Sequence, residues 1–286
     1  MRGRIPCLRG ALVLLLLAPG ARGLAAQEAG AQETPAPDTA PPPPVRPPEG
    51  SIIVNLPSVE TVPGGSLHFW INHRFEQPVQ DSDIHSIYSF FSPAHVGLGI
   101  SYAPTSRLEA GFFRAPDQED YEVFAKYRIY APADGPFQAT LRIGGDFRTA
   151  RGLEDRGSFF AQGILAFTVA SRVRFTAVPT YVSKNAAPFQ ATPLDRDVWN
   201  VPVALSVAVT RTINVQGEMI PRMESPAIGW IAAVEKTVLR HRFAFTIGNV
   251  QSTSVDQYVR WNPSLVGGSA KDLHFGFNIT RLWKIR

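Results

Sequence analysis

The chain has 286 residues and a formal net charge of +4, a length that suits one large β domain or two small ones. The first 26 residues hold four of the 28 Lys and Arg residues and no acidic one, so the remainder carries 24 basic against 24 acidic side chains, and charge gives no ground for nucleic-acid binding. The single cysteine, Cys7, lies in the same opening segment, which excludes disulfides and thiolate metal sites from everything after it.

Arg2, Arg4 and Arg9 precede a short apolar run from Ala11 to Ala18, and Gly23-Leu24-Ala25-Ala26 supplies small residues for cleavage. The run is too short to cross a bilayer as a helix, so residues 1–26 are read as a cleaved export signal. Cys7 precedes the apolar core instead of following it, which argues against a lipoprotein. Residues 27–50, ending in PPPPVRPPEG, hold too little apolar area to fold and read as a Pro-rich linker tending to polyproline II. Residues 51–286 form the remaining domain. Within it, 51–65 begins with the apolar Ser51 to Leu56, but Pro57 and Pro63 forbid a regular central strand. It is expected to be a lead-in, or a strap or plug at one mouth of the domain.

From Leu67 onward apolar residues recur at every second position, the period of a strand with one apolar face. The stripes run Leu67, Phe69, Ile71; then Val96, Leu98, Ile100, Tyr102; then Leu108, Ala110, Phe112; then Tyr121, Val123, Ala125, Tyr127, Ile129; then Phe137, Ala139, Leu141, Ile143. They continue with Phe159, Leu165, Phe167; Val173, Phe175, Ala177; Val201, Val203, Leu205, Val207, Val209; and Ile213, Val215, Gly217, Met219. The last are Ile228, Trp230, Ala232, Val234; then Phe243, Phe245, Ile247; then Leu273, Phe275, Phe277, Ile279. Trp283 shares the parity of the final stripe, so an aromatic closes it, although Arg281 interrupts it.

The connections alternate long and short. Long ones lie near 76–94, 115–120, 148–157, 184–199, 221–226 and 249–271, with tight turns near Pro104-Thr105, Pro132 to Pro136, Ser171-Arg172, Thr210 to Thr212 and Leu239-Arg240. The expected fold is therefore all-β: an antiparallel up-and-down transmembrane β-barrel of about 12 strands, with short turns at one end and longer loops at the other. A secreted soluble β-sandwich is the competing fold, but it gives no reason for every second connection to be short. Small non-stripe positions such as Gly97, Gly99, Ser101, Ala204, Ser206 and Ala208 also suit a crowded barrel interior.

Parity assigns the side chains. Phe69, Leu98, Phe112, Tyr127, Leu141, Phe167, Phe175, Leu205, Trp230, Phe245 and Phe277 are expected to face lipid. His68, Arg74, Glu122, Lys126, Arg128, Arg142, Glu218, Glu235, Arg242 and His274 are expected to line the lumen, because charge at membrane depth must face water or a partner. These charges suit a structural network or a narrow polar path. His68 and His274 lie on the first and last strands, neighbours in a closed barrel, so they make either a proton-transfer or metal pair or two satisfied interior histidines, and the second reading is favoured. Trp199, Tyr258 and Trp261 fall in long loops, where they either meet an external ligand or pack on the barrel. No HExxH, nucleophile elbow, phosphate-cradling loop or Cys/His cluster appears, so no catalytic residue, metal or cofactor is expected.

Several stretches resemble an uncharacterised bacterial outer-membrane barrel family, classed as a domain of unknown function and found chiefly in Bacteroidetes and Acidobacteria. They are Asn55 to Thr61, Pro63 to Leu67, Ile71 to Phe75, Val96 to Tyr102, Arg107-Leu108, Tyr121 to Tyr127, Pro179 to Val182 and Phe275 to Arg281. The resemblance spans residues 52–283 and implies an outer-membrane β-barrel without established catalytic residues. The expected function is a non-catalytic narrow channel or structural component of the outer membrane of a Gram-negative-type bacterium. Its expected partners are membrane lipid, the barrel assembly machinery and small solutes. A barrel-embedded enzyme such as a lipid hydrolase is the alternative, and a convergent Ser or Asp beside a rim histidine would favour it.

Overall fold

The computed structural model describes residues 50–86, 88–116, 119–132, 135–149, 157–183, 197–221, 228–260, 269 and 271–285. The expected signal segment, all of the linker but Gly50, and Trp261 lie outside them.

Twelve strands make one sheet: β1 Ser66–Phe75, β2 Ala94–Ala103, β3 Leu108–Ala115, β4 Asp120–Tyr130, β5 Phe137–Arg148, β6 Gly157–Val169, β7 Val173–Ala177 continued by Thr180–Val182, β8 Val198–Asn200 continued by Val203–Ala208, β9 Ile213–Ile220, β10 Gly229–Val238, β11 His241–Gly248 and β12 His274–Lys284. Strands β7 and β8 are interrupted at Pro179 and Pro202, which have no N–H to give to a ladder. The neighbours bond to the prolines' carbonyls instead: Val178 N donates to Pro202 O at 2.8 Å and Gly163 N to Pro179 O at 2.9 Å, so the sheet carries on through both breaks.

Each strand pairs antiparallel with the next in sequence, and β12 pairs with β1, with Leu67 opposite Trp283 and Ile71 opposite Ile279. This last pairing closes the sheet into a barrel and leaves no open edge, the condition that an apolar solvent imposes on backbone N–H and C=O groups. A two-sheet sandwich is excluded by that closure.

The alternation sets the two faces. Leu205 is 39% exposed, Phe245 45% and Phe175 53%, while their neighbours Ala204, Ser206, Ala244, Thr246, Arg174 and Thr176 are buried. The outer surface is thus apolar all round the barrel and the inner one polar and covered. The connections separate by length with one exception. Those after β2, β4, β6, β8 and β10 lie at the end that holds the start of β1 and the end of β12. Of those at the other end, the link between β3 and β4, 116–119, has only four residues and is as short as 104–107, against the long connection expected there, while the others are longer. At the shortest turns the chain accepts strain: Ala170 and Ser171 have φ of 48° and 57°, the paired left-handed geometry that matches strand twist in a tight hairpin.

Inside, space is tight. A Cβ on Gly99 would lie 2.0 Å from the ring of Trp70, so glycine lets the indole of β1 cross the neighbouring strand. Trp70 stacks on Phe113 with ring centres 5.9 Å apart.

Candidate functional site

Two segments from opposite ends occupy the lumen. From the short-turn end, residues 51–58 form a small hairpin. Ile52 bridges Pro57, Ile53 N donates to Leu56 O at 2.9 Å, and Ser58 N donates to Ser51 O at 3.0 Å. Val54, Leu56 and Val59 are wholly buried in the same apolar cluster as Trp70, Phe113, Phe124 and Phe160. Of the lead-in, strap and plug expected for this segment, the structure shows a plug, seated deep in the barrel and not at its mouth. Its apolar residues supply the dry filling that the polar wall cannot.

The wall grips this hairpin through its backbone. Glu218 of β9 accepts Val54 N at 2.7 Å, Leu56 N at 2.9 Å and Asn55 N at 3.0 Å, so one carboxylate satisfies a whole turn of N–H groups that the hairpin cannot satisfy itself. Arg74 of β1 donates to Asn55 Oδ1 and to Asn278 Oδ1, both at 2.8 Å, and Asn278 Nδ2 donates to Val54 O at 2.8 Å. Lys126 of β4 donates to Ser51 O at 3.1 Å and also to Glu60 O. Glu109 of β3 accepts Ser51 Oγ at 2.9 Å and Val62 N at 3.2 Å. Arg242 of β11, held by Glu235 at 2.7 Å, donates to Ile52 O at 3.1 Å, and Arg174 pairs with Glu60 at 2.8 Å.

From the long-loop end, the connection between β11 and β12 turns inward and forms the short helix α1, Val255–Arg260. Val255 N donates to Glu122 Oε2 at 3.1 Å, Gln162 Nε2 donates to Tyr258 Oη at 2.8 Å, and Asn200 Nδ2 donates to Val259 O at 3.2 Å. Glu122 also pairs with Arg142, whose guanidinium lies 4.2 Å from the Phe124 ring centre and 4.9 Å from that of Phe160. Such stacking suits a cation held away from water. Between the hairpin and α1 a cavity of about 30 Å³ remains, lined by Ser51, Asn55, Trp70, Arg142 and Tyr258 among others. That is room for at least one water molecule.

Among the residues expected to line the lumen, His68, Arg74, Glu122, Lys126, Arg142, Glu218, Glu235, Arg242 and His274 are buried. Arg128 is only half-buried, beside a register shift between Arg128 and Tyr130. Of the residues expected to face lipid, Leu98, Phe112, Tyr127, Leu141, Phe167, Phe175, Leu205 and Phe245 are exposed, and Phe69, Trp230 and Phe277 half-exposed.

The histidine pair does not form. Along β12, His274 is eight residues from Leu282, the residue opposite His68, a separation of about 27 Å at the rise of a strand. Being on neighbouring strands does not make two residues neighbours when the strands run antiparallel. His68 stacks on Trp70 with ring centres 5.1 Å apart, and His274 Nδ1 sits 3.0 Å from Gln251 Nε2. Of the loop aromatics, Trp199 is 64% exposed, whereas Tyr258 points into the barrel and is buried. Glu109, Asp146, Arg148, Arg174 and Asn278 belong to the interior network without having been singled out from sequence. Their parity was the available signal, since each sits between outward-facing neighbours. Asp120 and Asp256 had no such signal, because their stretches read as loops.

The closed sheet, its apolar outer face and its filled polar interior define a plugged membrane β-barrel. The chain belongs to the family described as a membrane bound beta barrel domain (DUF5777), whose model matches residues 49–283. Among solved structures it is similar to a NanC porin at 8% identity, with a TM-score of 0.49, covering 76% of this chain and 99% of the other. It is also similar to outer membrane phospholipase A from Escherichia coli at 9% identity, with a TM-score of 0.44, covering 87% and 94% of the two chains. No curated protein matches the sequence.

Proposed function

We propose that the protein is a non-catalytic outer-membrane barrel whose polar lumen is a narrow conduit for small solutes, held shut by the 51–58 hairpin and α1. In this reading an N-terminal signal directs export and is cleaved, the barrel assembly machinery inserts the chain, the short turns and both termini face the periplasm, and the long loops face outward.

The observation that carries the proposal is how the hairpin is held. Its backbone is bound by wall groups, namely Glu218, Arg74, Asn278, Lys126, Glu109 and Arg242. Without the hairpin these groups would line a path that water can wet. A barrel meant only as a solid post has no need of a charged wall, because apolar side chains fill a small interior at lower desolvation cost.

The test is planar-bilayer conductance of the full chain against a deletion variant that lacks residues 51–62 and has residues 254–260 replaced by a Gly-Ser link, so that neither segment can close the lumen. Silence from the full chain and steady current from the folded deletion variant are expected. A silent, folded deletion variant would overturn the conduit and leave a structural barrel, while steady current from the full chain would overturn the closure. Refolded protein is also expected to release no fatty acid from phospholipid vesicles, and turnover there would move the assignment to a lipid hydrolase.

A further inference from the structure

Near the long-loop end, three carboxylates from three separate elements converge inside the barrel. Asp120 opens β4, Asp146 lies near the end of β5 and Asp256 belongs to α1. All are buried, and each offers an oxygen within 4.8 Å of the others. We propose that these three aspartates bind one hard divalent cation, Ca²⁺ foremost, which fastens α1 to the barrel wall. The proposal goes beyond the conduit reading and does not depend on it.

Distance fits the ion. Oxygens bound to Ca²⁺ lie about 2.3–2.6 Å from it, so ligands on opposite sides of one ion are up to about 5 Å apart. Chemistry fits as well, because an all-carboxylate set without His or Cys selects Ca²⁺ or Mg²⁺ over softer metals.

The second observation is Asp146 itself. It is 2% exposed, and neither of its carboxylate oxygens accepts a hydrogen bond among the described residues. A buried ionised carboxylate in that condition is costly unless a cation meets it. Arg148 stands in the cluster and pairs with Asp256, while Asp146 has no ion pair of its own among the described residues.

A proton on Asp146 is the rival explanation, and the experiment separates the two.

Full-length protein, refolded in detergent free of lipopolysaccharide and stripped with EDTA, would be titrated with CaCl₂ and, separately, MgCl₂ by calorimetry. Thermal unfolding would be followed in parallel. One equivalent of Ca²⁺ per chain should bind, and the unfolding midpoint should rise by roughly 5–10 °C when Ca²⁺ exceeds its Kd a hundredfold. Asp146→Asn should lose at least tenfold in Ca²⁺ affinity, yet unfold at a higher temperature than the wild type in EDTA, because one of three mutually repelling charges is gone. If that variant does not fold, the wild-type titration still decides. No heat with either ion and an unchanged midpoint would overturn the proposal. So would a midpoint that rises on acidification while ignoring Ca²⁺, which would assign a proton to Asp146.

Discussion

At Glu218 one carboxylate holds three consecutive N–H groups of the hairpin, and replacing it shows how much a single wall residue contributes. Glu218→Ala leaves those donors buried without their acceptor, at a cost of about 1–3 kcal/mol each for any that find no substitute. A total loss on the order of 3 kcal/mol is expected, with faster hydrogen exchange at residues 54–56. Unchanged exchange there would mean that Glu218 does not hold the hairpin. On the outer face the cost has another origin. Leu205 is exposed to the surroundings of the barrel, and Leu205→Arg should cost about 2–4 kcal/mol in a bilayer if it lies near the midplane. Leu239→Arg, at a turn where Leu239 is 94% exposed, should stay within about 0.5 kcal/mol of the parent. Equal effects at the two sites, measured by reversible unfolding in vesicles, would contradict a lipid-facing belt. At this scale parity was highly informative: it assigns Glu218 and Leu205 to opposite faces from sequence alone. It could not say what Glu218 binds, because the hairpin lies 162 to 164 positions away in the chain.

Elements were legible to different degrees for different reasons. A strand in a barrel shows its period because one face meets an apolar solvent, so β2, β5 and β11 follow the expected stripes over most of their length. The tail of β7 and the start of β8 were harder to see: the expected stripes stop at Ala177 and begin at Val201, whereas the strands run on to Val182 and start at Val198, across breaks at Pro179 and Pro202 that the prolines' own carbonyls bridge. The hairpin at 51–58 and α1 carry no strong periodicity, and their placement depends on acceptors supplied by the wall. The turn at Ala170-Ser171 offers a test at this level. Both residues hold positive φ, of 48° and 57°, which side chains with a Cβ adopt at a cost of about 1–2 kcal/mol each. Ala170→Gly should therefore stabilise the β6–β7 hairpin by about 1 kcal/mol in denaturant unfolding. A loss of stability would mean that the entropy of glycine outweighs the relief of strain.

For the whole molecule, closure through β1 and β12 is the central fact, because it lets every strand bond on both sides while apolar side chains cover the outside. Washing membranes with high salt or alkaline carbonate should leave the protein in the pellet, with detergent needed to release it. Release into the wash would contradict lipid contact. The sequence by itself determined the strand period, the alternation of long and short connections, the outward stripes and the charged interior, because each is a local pattern imposed by the solvent on either side of one sheet. It also carried the family resemblance. Only the tertiary structure decided that the interior is filled by two chain segments, that His68 and His274 stand at opposite ends, and that Asp120, Asp146 and Asp256 meet. Those outcomes depend on which residues share a height in the barrel, and strand register, with the path of the chain through the lumen, sets that height.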